Sequence, residues 1–486
     1  MGVGTALDDV EAVELMARAA HAAGADSGAP ALLAEVQRIA VPRGTWSYTD
    51  PGRIVAERIG ATRAHTHLVD LGIPQQTPIN DAMTAILRGD LDVVLVVGAE
   101  AKARAARAAR TRQAADAKGI ATVLRRTGSD DEIDQGGAVP DVHEVPESEI
   151  VARAEVDAGL WAPVEQYALI ESALRAADGA SVDAHRREIG ELGARFNEVA
   201  GHNPEAAFPA PMRADELAEF GPANRPLAFP YGRWHASQWT VDQGAALLLC
   251  SAGAARRHGV DPERCVFPLV GLVSSFALPL TKRRRLHRWP AMGVLGRAAT
   301  ARLERPLADC RHAEVYSCFP AAVRVQQREL ALPAAGTPTV TGGMAFAGGP
   351  FNNFVLQATA AMGRRLRAEP GLGLVTTVSG MLTKPGIAVW ATEPDGRVPL
   401  VADLAREAAA ATETVEVMSG YEGPAVVAAV TVTYDGFEPK EVIAIVDAPD
   451  GTRAIAKSTH PALATRATTE ELVGRTVAVR GGVLIP

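Results

Sequence analysis

Hydrophobic positions recur at helical spacing in some segments of the chain and form continuous runs in others. Residues 8–23 and 78–87 carry apolar side chains at the three- and four-residue intervals of an amphipathic helix. Residues 91–97 (LDVVLVV) are continuously apolar, as in a strand that is buried on both faces. Because the strand-like residues 67–71 precede the second helix, the order strand, helix, strand predicts a βαβ unit within a parallel sheet.

The same alternation returns in the second half of the chain, after a segment of different character. Residues 101–235 combine helical segments rich in alanine and arginine with an acidic loop, and we expect a large insertion there. Buried-strand composition returns at residues 244–251, and strands and helices then alternate again. The sequence therefore predicts an N-terminal half at residues 1–255, which holds the insertion, and a C-terminal half at residues 256–394.

The pattern changes once more near the end of the chain. Residues 400–486 contain several β-patterned runs separated by turn signals, and Asp450 with Gly451 is a strong hairpin turn. We interpret this segment as a small, separate β domain, with an oligonucleotide/oligosaccharide-binding (OB) barrel as its candidate fold. Because such barrels bind proteins and small ligands as well, a protein partner is one expectation for this domain.

Composition narrows the class of protein. The chain has 486 residues and a net charge of −8, which argues against a general affinity for nucleic acid. No apolar run reaches the roughly 18 residues of a membrane span, and the acidic N-terminus lacks a signal-peptide core. Four cysteines without paired spacing indicate a reducing compartment, so we expect a cytoplasmic protein, and we expect no metal site.

Short motifs give the most specific signal. Residues 341–350 (TGGMAFAGGP) resemble the NxxGGxxxxGHP loop of the thiolases. Further segments that resemble this family occur in its order: residues 80–100 (NDAMTAILRGDLDVVLVVGAE), 202–208 (HNPEAAF), 242–251 (DQGAALLLCS) and 314–321 (EVYSCFPA). The resemblance covers roughly residues 10–392, looks closest to the sterol-carrier-protein (SCP) branch, and extends to the acetyl-CoA acetyltransferases.

The resemblance implies a fold and a ligand. It implies the duplicated α-β-α-β-α layered fold of thiolases, with coenzyme A (CoA) or an acyl-CoA as ligand and no covalently bound cofactor. A thiolase normally opens with a core strand before its first helix, and only residues 1–4 (MGVG) precede the helix here. Either that strand is missing or the start of the chain was assigned late.

The cysteine nucleophile and the histidine of the family have no counterparts. The histidine of GHP, which helps to activate the cysteine, corresponds to Gly349. Counting back from Gly89 places the nucleophile at Gly72, and no cysteine occurs before Cys250. Because a thiolate is needed to accept the acyl group, this pattern predicts that ordinary thiolase chemistry is absent.

Other side chains remain as candidates for the same pocket. The family's second cysteine, in a CxG loop, corresponds to residues 378–380 (VSG), where Ser379 is central. Tyr316 stands where the family has the asparagine or histidine of its NEAF or HDCF motif, with Ser317 and Cys318 after it. His235 lies ahead of the strand at residue 242. For each of these residues a structural role is the favoured alternative to a catalytic one.

Two groups are candidates for holding the ligand. The turns with Gly342, Gly343 and Gly348 let the backbone approach a thioester or a phosphate closely, with tight packing as the alternative. The basic run at residues 282–288 (KRRRLHR), with Arg283 and Arg284, is a candidate for the CoA phosphates, with a solvated loop as the alternative.

Three functions remain open from the sequence. The leading one is a thiolase-like protein that binds CoA thioesters without ordinary thiolase activity. The alternatives are an active acyltransferase that uses substituted residues such as Cys318, Tyr316 or Ser379, and a non-catalytic partner subunit of an acyl-CoA enzyme.

Overall fold

A six-stranded sheet forms the first half of the protein. The computed structural model describes residues 1–112 and 132–485, and residues 113–131 of the predicted insertion lie outside the described part. The strands of the first sheet are β1 (Gly2–Ala6), β2 (Arg38–Pro42), β3 (His65–Val69), β4 (Val93–Ala101), β5 (Val142–Glu144) and β8 (Asp242–Cys250). Their order in the sheet is β1-β8-β4-β2-β3-β5, with β2 parallel to β3 and β4 as predicted.

The first core strand is present. β1 pairs antiparallel with β8, and Gly2 lies opposite Leu248. Its sequence, GVGTA, has two glycines and so lacks the pattern of a strand. The glycines are needed because a Cβ at Gly4 would lie 2.0 Å from the carbonyl oxygen of Ala19, in the helix that packs on this strand.

The second half repeats the arrangement with a five-stranded sheet. Its strands are β9 (Phe267–Val273), β10 (His312–Glu314), β11 (Leu372–Ser379), β12 (Lys384–Ala391) and β13 (Leu400–Asp403), in the order β10-β11-β12-β9-β13. β13, which the sequence assigns to the terminal β segment, pairs parallel with β9 in this sheet.

Helices separate and cover the two sheets. Those of the first half are α1 (Ala12–Asp26), α2 (Pro51–Ile59), α3 (Thr77–Arg88) and α4 (Lys102–Arg112). Those of the second half are α9 (Ala252–Arg257), α10 (Pro290–Leu303), α11 (Pro320–Glu329), α12 (Gly343–Phe346), α13 (Phe354–Ala368) and α14 (Ala405–Ala410). α3 and α13 each contact strands of both sheets, which confirms the predicted α-β-α-β-α layering.

The insertion supplies α5 (Arg153–Asp157), α6 (Pro163–Asp178), α7 (Val182–Gly201), α8 (Ala214–Ala218), β6 (Pro226–Ala228) and β7 (Tyr231–Gly232). α7 packs against α12, and α6 packs against the C-terminal segment. In space, these elements therefore lie between the layered core and the C-terminal segment. No helix in the described part of the chain is long and apolar enough to cross a membrane.

The C-terminal segment forms a closed five-stranded barrel. Its strands are β14 (Gly423–Asp435), β15 (Glu438–Asp447), β16 (Arg453–Ser458), β17 (Thr476–Arg480) and β18 (Val483–Ile485), and α15 (Pro461–Thr469) lies between β16 and β17. The pairings run β14-β15-β16-β18-β17 and return to β14, with only β16 and β18 parallel. This closed arrangement is consistent with the predicted OB-like fold.

The barrel is joined to the rest of the protein by buried polar contacts. Arg175 of α6 is almost fully buried and donates two hydrogen bonds, of 2.9 and 2.8 Å, to the Glu471 carboxylate. The backbone N–H of Val430 donates to Ser172 Oγ at 2.9 Å, and β14 pairs with β6.

Candidate functional site

Gln75 of the first half contacts the predicted site residue Tyr316 of the second half. It lies two residues before α3, and its Nε2 donates to the Tyr316 hydroxyl at 3.4 Å and to the carbonyl oxygen of Phe351 at 3.4 Å. Its Oε1 accepts the N–H of Val355 at 2.8 Å. Gln75 is not among the site residues predicted from the sequence; the signal that marks its neighbourhood is Pro78, in the first turn of α3.

Gly72 lies in the turn after β3, and its contact in the second half is a lysine. Its φ of +96° favours glycine, and its carbonyl oxygen accepts the Nζ of Lys384 at 2.9 Å. Lys384 is buried at the start of β12, and burial lowers its pKa. The predicted nucleophile position is therefore a turn that a lysine from the other half holds.

Ser237 occupies the space into which a side chain at position 349 would project. A Cβ at Gly349 would lie 1.9 Å from Ser237 Oγ, and the Gly349 N–H donates to the carbonyl oxygen of Gln238 at 3.0 Å. The neighbouring Gly348 has a φ of +103°, and a Cβ there would lie 2.5 Å from Gln243 Oε1. A side chain at position 348 or 349 would therefore collide with Gln243 or Ser237, respectively, and glycine avoids both collisions.

Gly342 and Gly343 bring this loop into contact with α7. Their φ values are +98° and +76°, and a Cβ on them would lie 2.4 Å from the Cβ of Ala200 and 2.5 Å from Cδ1 of Phe196, respectively. Both glycines are buried. This geometry favours the packing interpretation of the first glycine turn.

The amides of the same turn already have partners inside the protein. Ser317 Oγ accepts the N–H of Met344 at 3.0 Å, which gives this serine a structural role. The buried Glu314 carboxylate accepts the hydroxyl groups of Thr339 and Thr341, both at 3.0 Å, and two backbone N–H groups. Burial raises the pKa of Glu314 to about 7 in spite of these hydrogen bonds. Glu314 thus positions the loop of residues 339–344.

The other candidate nucleophiles are un-ionised near neutral pH. Removal from water raises the pKa of the partly buried Cys318 thiol to about 12. Burial also raises the pKa of Tyr316 far above its ordinary value. Ser379 ends β11, and its carbonyl oxygen accepts the hydroxyl of Thr383 at 2.6 Å. Within this group no thiolate or phenolate is available at neutral pH, and Tyr316 remains a hydrogen-bonding group.

His235 is a buried neutral histidine. Burial lowers its pKa to about 4, and its Nδ1 accepts the N–H of Gly232 at 2.9 Å. Its ring lies 6.0 Å from that of Tyr231. This hydrogen bond fixes the tautomer and gives His235 the role of holding the turn before residue 237.

Two bulky residues at the site have left-handed backbone conformations. Leu382, in the turn after Ser379, has a φ of +54°, and Phe351, after the glycine loop, has a φ of +46°. Such conformations cost on the order of 1–3 kcal/mol and concentrate at functional sites. The turn of residues 380–383 and the end of the glycine loop are therefore the strained parts of this region.

The basic run divides into a buried and an exposed part. Arg283 is 4 % exposed, and its guanidinium donates to the carbonyl oxygens of Leu278 and Met381, the latter at 2.7 Å. Burial lowers the pKa of Arg283 to about 10. Arg284 is exposed, so only the second of the two predicted arginines is available to a ligand.

Arg284 lines a cavity of about 230 Å³ at the N-terminal end of α10. Five arginines and two glutamates line this cavity, an excess of three positive charges; they are Arg283, Arg284, Arg285, Arg288, Arg297, Glu329 and Glu413. Leu382 and Thr383 form part of its wall, which places it beside the strained turn. We refer to it below as the arginine pocket.

Comparison with known proteins shows similarity in structure. No family model and no curated protein matches the sequence. A solved structure described as a monomeric SCP2-thiolase like protein type 1 from Mycobacterium smegmatis is 27% identical, covers 99% of this chain and 96% of its own, and has a TM-score of 0.80. Human mitochondrial 3-ketoacyl-CoA thiolase is 17% identical over 81% of this chain and 98% of its own, with a TM-score of 0.56. A structure described as Ltp2-ChsH2(DUF35) aldolase is 18% identical over 81% of this chain and 97% of its own, with a TM-score of 0.55.

Proposed function

Since the chain has the thiolase superfamily fold, we propose that it binds a CoA thioester without catalysing ordinary thiolysis or condensation. The observation that carries the binding part is the arginine pocket, which lies beside the turn that matches the family's second cysteine loop. The observation that carries the loss of chemistry is the absence of any cysteine before Cys250 and after Cys318, together with Gly349 at the position that resembles the family's histidine. We also propose a cytoplasmic location, which the four free cysteines support.

The pocket has cations that the protein itself leaves free for a ligand. In the described part of the chain, the side chains of Arg284 and Arg297 make no hydrogen bond or ion pair. Arg288 pairs with Glu329 and Arg285 pairs with Glu413 at 3.1 Å, so these two are already neutralised. Unpaired guanidinium groups bind phosphates through two parallel hydrogen bonds.

The helix beside the pocket adds to its positive potential. α10 begins at Pro290, and the first N–H groups of a helix carry partial positive charge. The Glu329 carboxylate accepts the N–H of Trp289 at 2.9 Å, so one N–H group at that end of the helix already has a hydrogen-bond partner. A cavity of about 230 Å³ suits one or two phosphate groups rather than a whole CoA molecule. The phosphates would therefore bind here and the pantetheine would extend along the turn of residues 380–383.

Calorimetric titration of the full chain with CoA and acetyl-CoA tests this proposal. We expect one binding site with a Kd on the order of micromolar, weakened by added salt because phosphate contacts are screened. The variant Arg284→Glu/Arg297→Glu should lose most of this affinity. Arg63→Glu/Arg88→Glu is the matched control, because it changes the net charge equally at two exposed arginines outside the pocket.

The outcomes separate binding from its location. Absence of heat and of a thermal shift at millimolar CoA and acetyl-CoA overturns the binding proposal. Equal weakening by the control variant would mean that net charge, and not the pocket, is responsible. Turnover in acetoacetyl-CoA thiolysis well above a blank, abolished by one substitution at the site, would overturn the loss of chemistry.

A second candidate is an active acyltransferase that uses substituted residues, and the contact between Tyr316 and Gln75 favours it. The neutral Tyr316 hydroxyl is able to donate a hydrogen bond to a thioester oxygen, although burial keeps it from acting as a phenolate. Acyl transfer from acetyl-CoA that is lost in Tyr316→Phe and kept in Tyr48→Phe would establish this alternative.

The third candidate, a partner subunit, rests on the barrel surface. Exposed apolar side chains there are Val426, Phe437, Val483 and Ile485. Exposed apolar groups are common at protein contacts, although single ones are also normal on surfaces.

A further inference from the structure

Three potential metal ligands from different elements converge on one face of the first sheet. They are His67 of β3, Asp81 of α3 and Glu144 of β5, and one ligand atom of each lies within 4.8 Å of the others. In the parallel pairing of β3 with β5, Val69 lies opposite Glu144, so His67 and Glu144 project from the same face. His67 Nε2 and Glu144 Oε2 are 3.1 Å apart.

Asp81 is a half-buried carboxylate on α3. It makes no hydrogen bond or ion pair within the part of the chain that the structure describes. Two carboxylates and one imidazole face each other here, an arrangement that a cation would stabilise.

We propose that His67, Asp81 and Glu144 bind one divalent transition-metal ion of the zinc type. One imidazole nitrogen and two carboxylate oxygens form a donor set that Zn²⁺ accepts, and the 3.1 Å between the His67 and Glu144 atoms is close to the edge of a tetrahedral site. Glu144 is 35 % exposed at its side chain, which leaves a route for the ion and a position for water.

The ion would link the edge strand β5 to β3 in the first sheet. β5 has three residues, lies within the insertion and covers the outer edge of β3. His67 and Glu144 are 77 positions apart in the chain, so a metal bridge between them closes a long loop. We therefore expect metal binding to stabilise this edge and to leave the arginine pocket unaffected.

The other face of β5 provides a matched control. His143 projects away from the three ligands, and its Nε2 lies 3.1 Å from Asp70 Oδ2. Arg43 also donates to the Asp70 carboxylate, so that pair is already neutralised. A substitution of His143 changes the same strand without removing a proposed ligand.

The experiment is a calorimetric titration of the untagged, chelator-treated full chain with Zn²⁺, followed by thermal unfolding. We expect one equivalent to bind with a Kd on the order of micromolar or tighter and to raise the Tm by several degrees. Asp81→Asn and His67→Gln should each weaken binding at least about tenfold, and His143→Gln should bind like the wild type.

The apo Tm of Asp81→Asn separates metal loss from misfolding. Removing one of two facing carboxylates should raise the apo Tm or leave it unchanged, while abolishing the shift with Zn²⁺. No binding to the wild type at 100 times the expected Kd overturns the proposal. Binding that survives in Asp81→Asn, or that is lost equally in His143→Gln, overturns it as well.

Discussion

Adding a side chain at Gly349 should destabilise the protein, because Ser237 already fills the space. A Cβ there would lie 1.9 Å from Ser237 Oγ and 3.2 Å from two carbon atoms of Met344. The backbone has little room to retreat: the Ser237 N–H donates to the carbonyl oxygen of Cys318 at 2.9 Å, and the Gly349 N–H donates to that of Gln238 at 3.0 Å. The two segments are therefore held at their present separation.

The size of the effect follows from this contact. Gly349 does not have a positive φ, so the cost of Gly349→Ala comes from the clash and not from backbone strain. Overpacking typically costs 1–3 kcal/mol, and we expect a loss of about 2 kcal/mol in the free energy of unfolding. Ser237→Gly alone should cost about 0.5–1 kcal/mol through backbone entropy. The double variant should be little worse than Ser237→Gly, a coupling of about 1.5 kcal/mol.

Urea unfolding of the four proteins, followed by tryptophan fluorescence, measures this cycle. Trp234 and Trp239 flank Ser237 in the sequence and report on the region. A cost below about 0.5 kcal/mol for Gly349→Ala, or two single costs that simply add, would refute the reasoning. Gly349→His should leave thiolysis absent even with Ser237→Gly, since no cysteine occurs before Cys250.

Two further predictions concern pH and the barrel. Burial raises the pKa of Glu314 to about 7 in the folded protein, above its value of about 4.5 in the unfolded chain. The protonated side chain therefore stabilises the fold fully below pH 4.5, and this stabilisation is lost as the pH rises through 7. The wild type should thus lose stability relative to Glu314→Gln between pH 4.5 and 7.5 in urea unfolding, and parallel curves would contradict this. Deletion of residues 420–486 should lower the unfolding midpoint of the remaining chain, because the buried Arg175 loses the Glu471 carboxylate. An unchanged midpoint with a stable large fragment in limited proteolysis would show instead that the barrel is an independent unit.

Much of the layered fold is predictable from local pattern. The continuous apolar run of β4 and the helical spacing of α3 identify the βαβ unit, because a strand buried on both faces needs apolar residues at every position. β1 is not predicted from its pattern, because Gly2 and Gly4, which allow close packing against α1, give the strand a loop-like sequence. The sequence pattern predicts the strands of the barrel but not its closure, since closure depends on the parallel pairing of β16 with β18.

The candidate site shows the same division. The absence of any cysteine before Cys250 is a fact of the sequence, while the match of Gly349 to the family's histidine is what the resemblance implies. Gln75 beside Tyr316, and Ser237 in the space of Gly349, are contacts between residues more than 100 positions apart, which no local pattern encodes. Arg283 and Arg284 are adjacent and chemically identical, yet Arg283 is buried with its guanidinium donating to the carbonyl oxygen of Met381, and Arg284 is exposed. The sequence by itself determined which side chains are available for chemistry, and the tertiary structure decided which of them face one another.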